Sequence, residues 1–560
     1  MITVHGATVV KNLPVVPPEK FDKLSNVIRK IAGQVGTIRE DGLVMPIDEK
    51  TNITKGFVFI EFMTEKEAKV AREKLDGYKL DKSHIFKVLT FDEVKRILDM
   101  SDEFKPPPRI EYKQHEGLLS WLTDNRGRDQ FIIRYQDQSE IYWNDSKLGK
   151  CDEVYSRSFW TESFVQWSPR GAMLATVHRQ GAAVWGGPEF GRLQRFSHPF
   201  VRLISFSPGE KYLVTYSSQE SKKTGTTVTL CIFDVKTGEK LRTFVAPFEE
   251  FSVTPASSGI QWPLLKWAGN GEDKFFAKIM KNTISVYEAP QMHLLDKKSI
   301  KLENVQDFSW SPSDNMFAAY QGERGNQPAR VTVIEVPSKQ ELRQKNLFNV
   351  NDVKLYWHPQ GEYLAAKVDR HTKSKKTIYT GFEIFSTKEK DLPMDVLELE
   401  NKTEKIVAFA WEPHGNRFAM VHGETSRPDV SFYTMRDKNG KMKHVSTLKN
   451  KPANCLFWSP AGRFIVFGGL KGLNGQLEFF DADEGTTMGT AEHFMCTDVE
   501  WDPTGRYIAT SVTSVHQMEN GFSVWDFKVC RNINTVTPVM SFPFSVGRTS
   551  CVIVFSSLTN

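Results

Sequence analysis

The sequence predicts a mainly β protein: a small α+β domain followed by a long array of repeated sheets. An apolar pattern of strand–helix–strand–strand–helix–strand fills residues 1–92. Beyond it, an aromatic residue followed by a Pro–Gly-type turn recurs from Trp167 to Gly505. Aromatic residues make up 12% of the chain, with 39 Phe against 13 Trp and 14 Tyr, the usage expected where flat rings fill the layers between sheets.

A chain of 560 residues exceeds one compact core. Its net charge of +5 is too thin to argue for nucleic acid unless the charge is clustered. Cys151, Cys231, Cys455, Cys496, Cys530 and Cys551 are scattered with no CxxC pair. That spacing excludes zinc-finger and thioredoxin-type sites and fits a reducing compartment. The opening MITVHGATVVKNL has no basic segment followed by an apolar one, and no apolar run approaches the roughly 18 residues of a membrane helix. The expectation is a cytoplasmic protein without membrane contact.

In the N-terminal domain, Thr8–Leu13 reads as a strand. Phe21, Leu24, Val27, Ile28 and Ile31 have helical spacing, and Gly33 ends that helix. Thr37–Val44 and Lys55–Phe62 follow as strands. Thr64 and Glu67 form a capping-box pattern ahead of a helix through Leu75, and Phe86–Phe91 is the last strand. The order βαββαβ is that of the ferredoxin-like sandwich. The run KGFVFIEF resembles the octapeptide of RNA recognition motifs at Lys55, Gly56, Phe57, Phe59 and Phe62. Alternate strand residues share a face, so Phe57 and Phe59 are expected side by side where bases stack. Val9 stands where the first strand of such domains offers an aromatic, and Val58 where Gly or Ala is usual. The alternative is the same fold used for protein docking, with both rings covered by a partner or a tail.

Asp92–Met100 reads as a short helix, and three successive prolines in 101–117 mark a semi-rigid spacer. The expected domains are an RNA-recognition-type domain at 1–92, a linker at 93–117, a repeat domain at 118–528 and an atypical segment at 529–560. The repeats begin at Trp167, Phe206, Trp267, Trp310, Trp357, Trp411, Trp458 and Trp501. Their spacing, roughly 40–60 residues, is that of β-propeller blades. In most, Pro presets φ and Gly supplies the positive φ of the turn; the copy at Trp267 is degenerate and lacks the Pro, and the copy at Trp310 lacks the Gly. An apolar strand follows, such as Tyr363–Val368, and a third strand closes the unit, such as Phe382–Phe385. Phe131–Tyr135 with Glu140–Trp143 adds a first blade without the motif, giving about nine.

Together, the N-terminal domain, the Pro-rich spacer and the irregular propeller resemble the b-subunit family of eukaryotic translation initiation factor 3. The runs WTESFVQWSPRG, LQRFSHPFV, FAWEPHGNRFA and TDVEWDPTGRYIATSV carry the resemblance up to about residue 528. It implies a scaffold whose propeller sits on the 40S small ribosomal subunit. It also implies an N-terminal domain that contacts subunits a and j, and a tail beyond the propeller that recruits subunits i and g. Residues 529–560 depart from that pattern, with Arg531 and Arg548 as their only charges. The expectations are that the i and g docking tail is missing and that the strand closing the ring is absent or improvised.

Enzyme chemistry finds no footing. GxSxG, HExxH and a P-loop are absent, and GGLKGLNG (Gly468–Gly475) lacks the Lys-Ser/Thr that would reach phosphate. No cofactor or metal is expected. Two basic runs in inter-strand loops are candidates for contact with ribosomal RNA phosphates: Arg370, Lys373, Lys375 and Lys376, and Arg436, Lys438, Lys441 and Lys443. The other reading of each is a solvated loop. The alternative for the whole chain is a free-standing RNA-binding regulator that reads mRNA through Phe57 and Phe59.

Overall fold

A computed structural model describes residues 6–99 except Lys82, residues 126–536 with internal exceptions, and 552–555. The exceptions are 127, 136, 146–149, 222–224, 252–261, 373–376, 400, 402–403, 425–426, 439, 471, 513–520 and 528–530. The expected linker residues 101–117 therefore lie outside the described residues. The chain divides into two compact units, Met1–Glu111 and Tyr112–Asn560.

The first unit runs β1 (Ala7–Lys11), α1 (Phe21–Ala32), β2 (Ile38–Val44), β3 (Phe57–Phe62), α2 (Glu65–Leu75), β4 (Lys87–Thr90) and α3 (Phe91–Leu98). The sheet order is β2-β3-β1-β4. Leu24 and Ile28 of α1 and Ala68, Ala71 and Leu75 of α2 pack on Val10, Val58, Ile60 and Val88. Thr64 and Glu67 form the reciprocal cap expected of α2. A second capping box, Thr90 with Glu93, starts α3. It ends the last strand at Thr90, so Phe91 begins a helix instead of closing a strand.

The second unit is a propeller of nine sheets among the described residues. Blades two to nine occupy 165–197, 201–247, 265–301, 305–347, 350–398, 406–448, 455–492 and 498–536. Each is an antiparallel sheet of successive strands a, b, c and d, with the last strand of blade four broken in two. The b and c strands are buried, as in Phe317–Gln321 and Val331–Ile334. Three strands per repeat are legible in the sequence; a fourth follows in each. Strands d form the rim, and Glu341–Leu347 and Thr486–Glu492 are mostly exposed. Their polar residues leave little apolar alternation to read.

The repeated tryptophan joins blades. Trp310 Nε1 donates to Lys266 O at 2.9 Å, Trp357 to Ser309 O at 3.1 Å and Trp411 to Tyr356 O at 3.0 Å. Trp458 donates to Ala410 O and Trp501 to Phe457 O, both at 3.1 Å. Every acceptor immediately precedes the tryptophan of the blade before, so one bond repeats around the ring. The turns interlock as well. Ser207 Oγ donates to Asp273 Oδ2 at 2.7 Å, His358 Nε2 lies 3.0 Å from Gly415 O, and Arg463 N donates to Glu412 Oε1 at 2.9 Å. Gly361 has φ 70°, and a Cβ there would lie 2.1 Å from Ser313 Oγ of the neighbouring turn. A side chain at this position would strain the backbone at that φ and displace Ser313.

Blade one comprises Asp129–Tyr135, Gln138–Asp145 and Lys150–Ser158, with Val552–Phe555 beside the first of these. Arg531–Val536, in the segment that departs from the family, pairs as strand d of blade nine.

Candidate docking surfaces

On β3, Phe57 and Phe59 are half-buried, and their ring centroids lie 5.6 Å apart at 85°. Phe62 does not join them. The strand's alternation turns it to the helix side, where it is 2% exposed in the core. Across the open face, Val44, Phe59, Val9 and Leu89 pair in one row. Val9 is only 3% exposed. Helix α3 packs on β1 and β4, and Phe91 lines a cavity of about 240 Å³ on this face with Ala7, Val44, Phe59 and Glu61. Arg72 of α2 holds the start of α3 through Glu93 at 2.6 Å. The guanidinium, then the Thr90 backbone, lower the Glu93 carboxyl to about 2.

The neighbouring row adds two cations that the sequence motif does not include. Lys11 pairs with Phe57 on one side and Lys87 on the other, and both lysines are exposed. Period-two counting from Val9 would have found Lys11. Lys55 is exposed just before β3. The face therefore offers two rings and a cationic margin, narrowed by α3.

The two basic runs do not form one patch. In an antiparallel a-b-c-d blade, the a–b and c–d turns share one edge, and the b–c turns share the other. Arg370 lies at the b–c end of blade six, where Tyr363–His371 ends ahead of Ile378–Ser386. Arg436–Lys443 lies at the c–d end of blade seven, between Asp429–Thr434 and Lys443–Leu448. They emerge from opposite faces of the disc. Arg370 is spent internally, with Nη2 2.7 Å from Glu383, whose side chain is 5% exposed. Lys373, Lys375 and Lys376 lie outside the described residues. On the other face Arg436 pairs with Glu389 of blade six at 2.9 Å, while Lys438, Lys441 and Lys443 are exposed.

Three histidines, His358, His414 and His493, belong to the scaffold. His358 and His414 serve the turn interlock, and Gln360 Nε2 lies 2.7 Å from His414 Nδ1. In blade nine, Thr510 Oγ1 accepts from Trp525 Nε1 at 2.8 Å and lies 2.7 Å from His493 Nδ1. Burial lowers the His493 pKa, which favours the neutral ring this network uses. Among the described residues no helix is long and apolar enough to cross a membrane.

An RNA-recognition-type domain and a nine-bladed propeller that present broad rigid surfaces define a docking scaffold. Residues 21–85 match the family described as RNA recognition motif, a span that begins after β1. Residues 345–531 match the family described as eukaryotic translation initiation factor eIF2A. The chain is 56% identical over 528 residues to the B subunit of eukaryotic translation initiation factor 3 from Nicotiana tabacum, covering 93% of this chain and 73% of that protein. The Xenopus laevis protein of the same name is 43% identical, with 94% and 73% covered. A solved "eukaryotic initiation factor" has the same fold, with a TM-score of 0.62 at 18% identity over 77% of this chain and 98% of that one. The chain belongs to the B-subunit family of eukaryotic translation initiation factor 3 and is a component of that factor.

Proposed function

We propose that this protein is the factor's scaffold on the ribosome: its propeller docks on the 40S small ribosomal subunit and its N-terminal domain contacts subunits a and j. The identity shared with the B-subunit relatives over 528 residues carries the reading. The interlocked blades support it, because a rigid platform loses little conformational entropy on docking. Exposed lysines at the disc supply phosphate contacts, and none of this needs a reactive centre.

Co-sedimentation with small ribosomal subunits tests the platform. Because the basic runs lie on opposite faces, K373E/K375E/K376E and K438E/K441E/K443E are separate tests. Reversal on the docking face is expected to lower affinity at least tenfold and reduce the salt slope by roughly 2–3, since each phosphate contact contributes about 0.7–0.9. Undiminished binding by both triple variants would remove these loops from the interface.

The second reading is direct RNA binding by the N-terminal face, which Phe57, Phe59, Lys11 and Lys87 favour. F57A/F59A is expected to weaken single-stranded RNA binding by the isolated chain, at about 1–3 kcal/mol per stacked base. Capture of subunits a and j and ribosome co-sedimentation are expected to persist. If these collapse in a folded F57A/F59A chain, the aromatic face itself is the docking site.

A further inference from the structure

We propose that the outer strand of blade eight, Thr486–Glu492, is an open edge that takes an extended, basic segment of a partner protein as an added strand. An arginine or lysine of that segment enters the cleft between blades seven and eight. The outer strand of a blade leaves one row of backbone groups unpaired, and such rows are guarded by charge, by proline or by a break. Elsewhere on this propeller the guards are present: Arg192 in blade two, Pro247 in blade three, Arg343 in blade five and Asp395 in blade six. In blade four the strand is broken. In blade eight, Thr486–Ala491 carries neither a charged residue nor a proline, and Met488 is exposed. The strand pairs on its inner side with Gln476–Asp481 and ends the sheet.

A cavity of about 420 Å³ adjoins this edge. Thr490 stands opposite Glu478, and Glu492 opposite Gln476. Cross-strand partners share a face. Phe467 stands opposite Glu478 on the next strand inward, and its ring lies 6.2 Å from that of Phe432 in blade seven. This face of blade eight therefore looks toward blade seven. Lys451–Ala453, in the connection between the two blades, forms another wall of the cavity. A strand added to Thr486–Glu492 would send every second side chain into the same cleft. Main-chain bonds would then supply affinity and the cleft would supply selectivity.

The chemistry of the cleft selects a cation. Lys451 Nζ and Thr487 Oγ1 both donate to Glu478 Oε1, at 2.7 and 2.6 Å. Glu478 Oε2 has no hydrogen bond among the described residues. Glu492 lines the cavity, is exposed, and has no ion pair among the described residues. One lysine thus stands against two carboxylates. Phe467, Leu477 and Ala453 supply apolar walls for an aliphatic stem. A side chain with such a stem and a cationic head suits both parts of the cavity.

Fluorescence anisotropy on the full chain tests this, with a labelled peptide of alternating valine and arginine as long as the strand. Saturable binding is expected, roughly tenfold or more tighter than for the same peptide with glutamate in place of arginine. E492K alters an exposed side chain and is expected to weaken binding roughly tenfold. Of two peptides methylated on alternate sets of backbone nitrogens, one is expected to lose binding and the other to keep it, because a strand pairs through one edge. Hydrogen exchange is expected to slow at Thr486–Glu492 on binding and to stay unchanged at Lys443–Leu448, the outer strand of blade seven. Equal affinity for the arginine and glutamate peptides, binding undiminished by E492K, or binding kept by both methylated peptides would overturn the proposal. Concentration-dependent dimers in light scattering, with protection of the same strand, would assign the edge to a second copy of this chain and overturn the partner.

Discussion

Alanine at Trp411 is expected to destabilise the propeller by about 3–5 kcal/mol, and phenylalanine by about 1 kcal/mol. The ring is 7% exposed. It meets Phe409 and Phe418, each at 5.3 Å and near perpendicular, and stacks on Tyr363 at 5.8 Å and 19°. Alanine removes these contacts and leaves a cavity that rigid sheets on both sides cannot collapse to fill. Phenylalanine keeps most of the packing and loses only the indole bond to Tyr356 O, stranding a carbonyl between blades. Denaturant unfolding of the two variants separates packing from hydrogen bonding. Equal losses for W411A and W411F would show that the inter-blade bond dominates and would refute this assignment of the motif's energy.

The second large effect is a dependence on pH at the blade nine–blade one junction. Burial, and then the neighbouring Asp502 carboxylate, push the Asp129 carboxyl up to about 8, while Arg506 opposes them. Asn144 lies across from Asp129 on the next strand of blade one. Arg126 and Arg128 nearby are engaged by Asp145 and Asp152. Asp502 accepts hydrogen bonds from the Tyr507 backbone and the Thr504 side chain. A folded-state pKa above the unfolded one means that the native chain binds the extra proton. Its stability therefore falls as pH rises from about 4 to about 8 and levels off above that. Asp129→Asn removes the titration and keeps the shape. At pH 8.5 the variant is expected to be more stable than the parent by up to roughly 5 kcal/mol, since the rise from 3.8 to about 8 spans about four tenfold changes in proton affinity, each worth about 1.36 kcal/mol, with the gap closing toward pH 4. Parallel pH–stability curves for D129N and the parent would contradict it.

The N-terminal elements can be read directly because each is fixed by near neighbours. Helical spacing marks α1, the Thr64–Glu67 pair marks the start of α2, and alternation in KGFVFIEF marks β3. Phe62 departs from its motif position because the same alternation turns it inward, and burial in the core outweighs display on the sheet. Helix α3 is legible in the sequence, but not that it narrows the open face.

The candidate surfaces are less legible. Both basic runs are plain in the sequence, yet their opposite faces follow only from counting strands within each blade. The rim strands needed for that count carry weak apolar patterns. Arg370 reads as a surface charge until the adjoining strand places Glu383 beside it.

The sequence by itself determined the two-unit plan and the recurrence of blades, since propensity, periodicity and turn residues act over a few positions. Only the tertiary structure decided that the tryptophan is a tie between blades, that two acids meet at a junction, and that Val552–Phe555 completes blade one. Each joins residues distant in sequence, and such encounters arise only when hydrogen bonding and apolar burial bring separate sheets together.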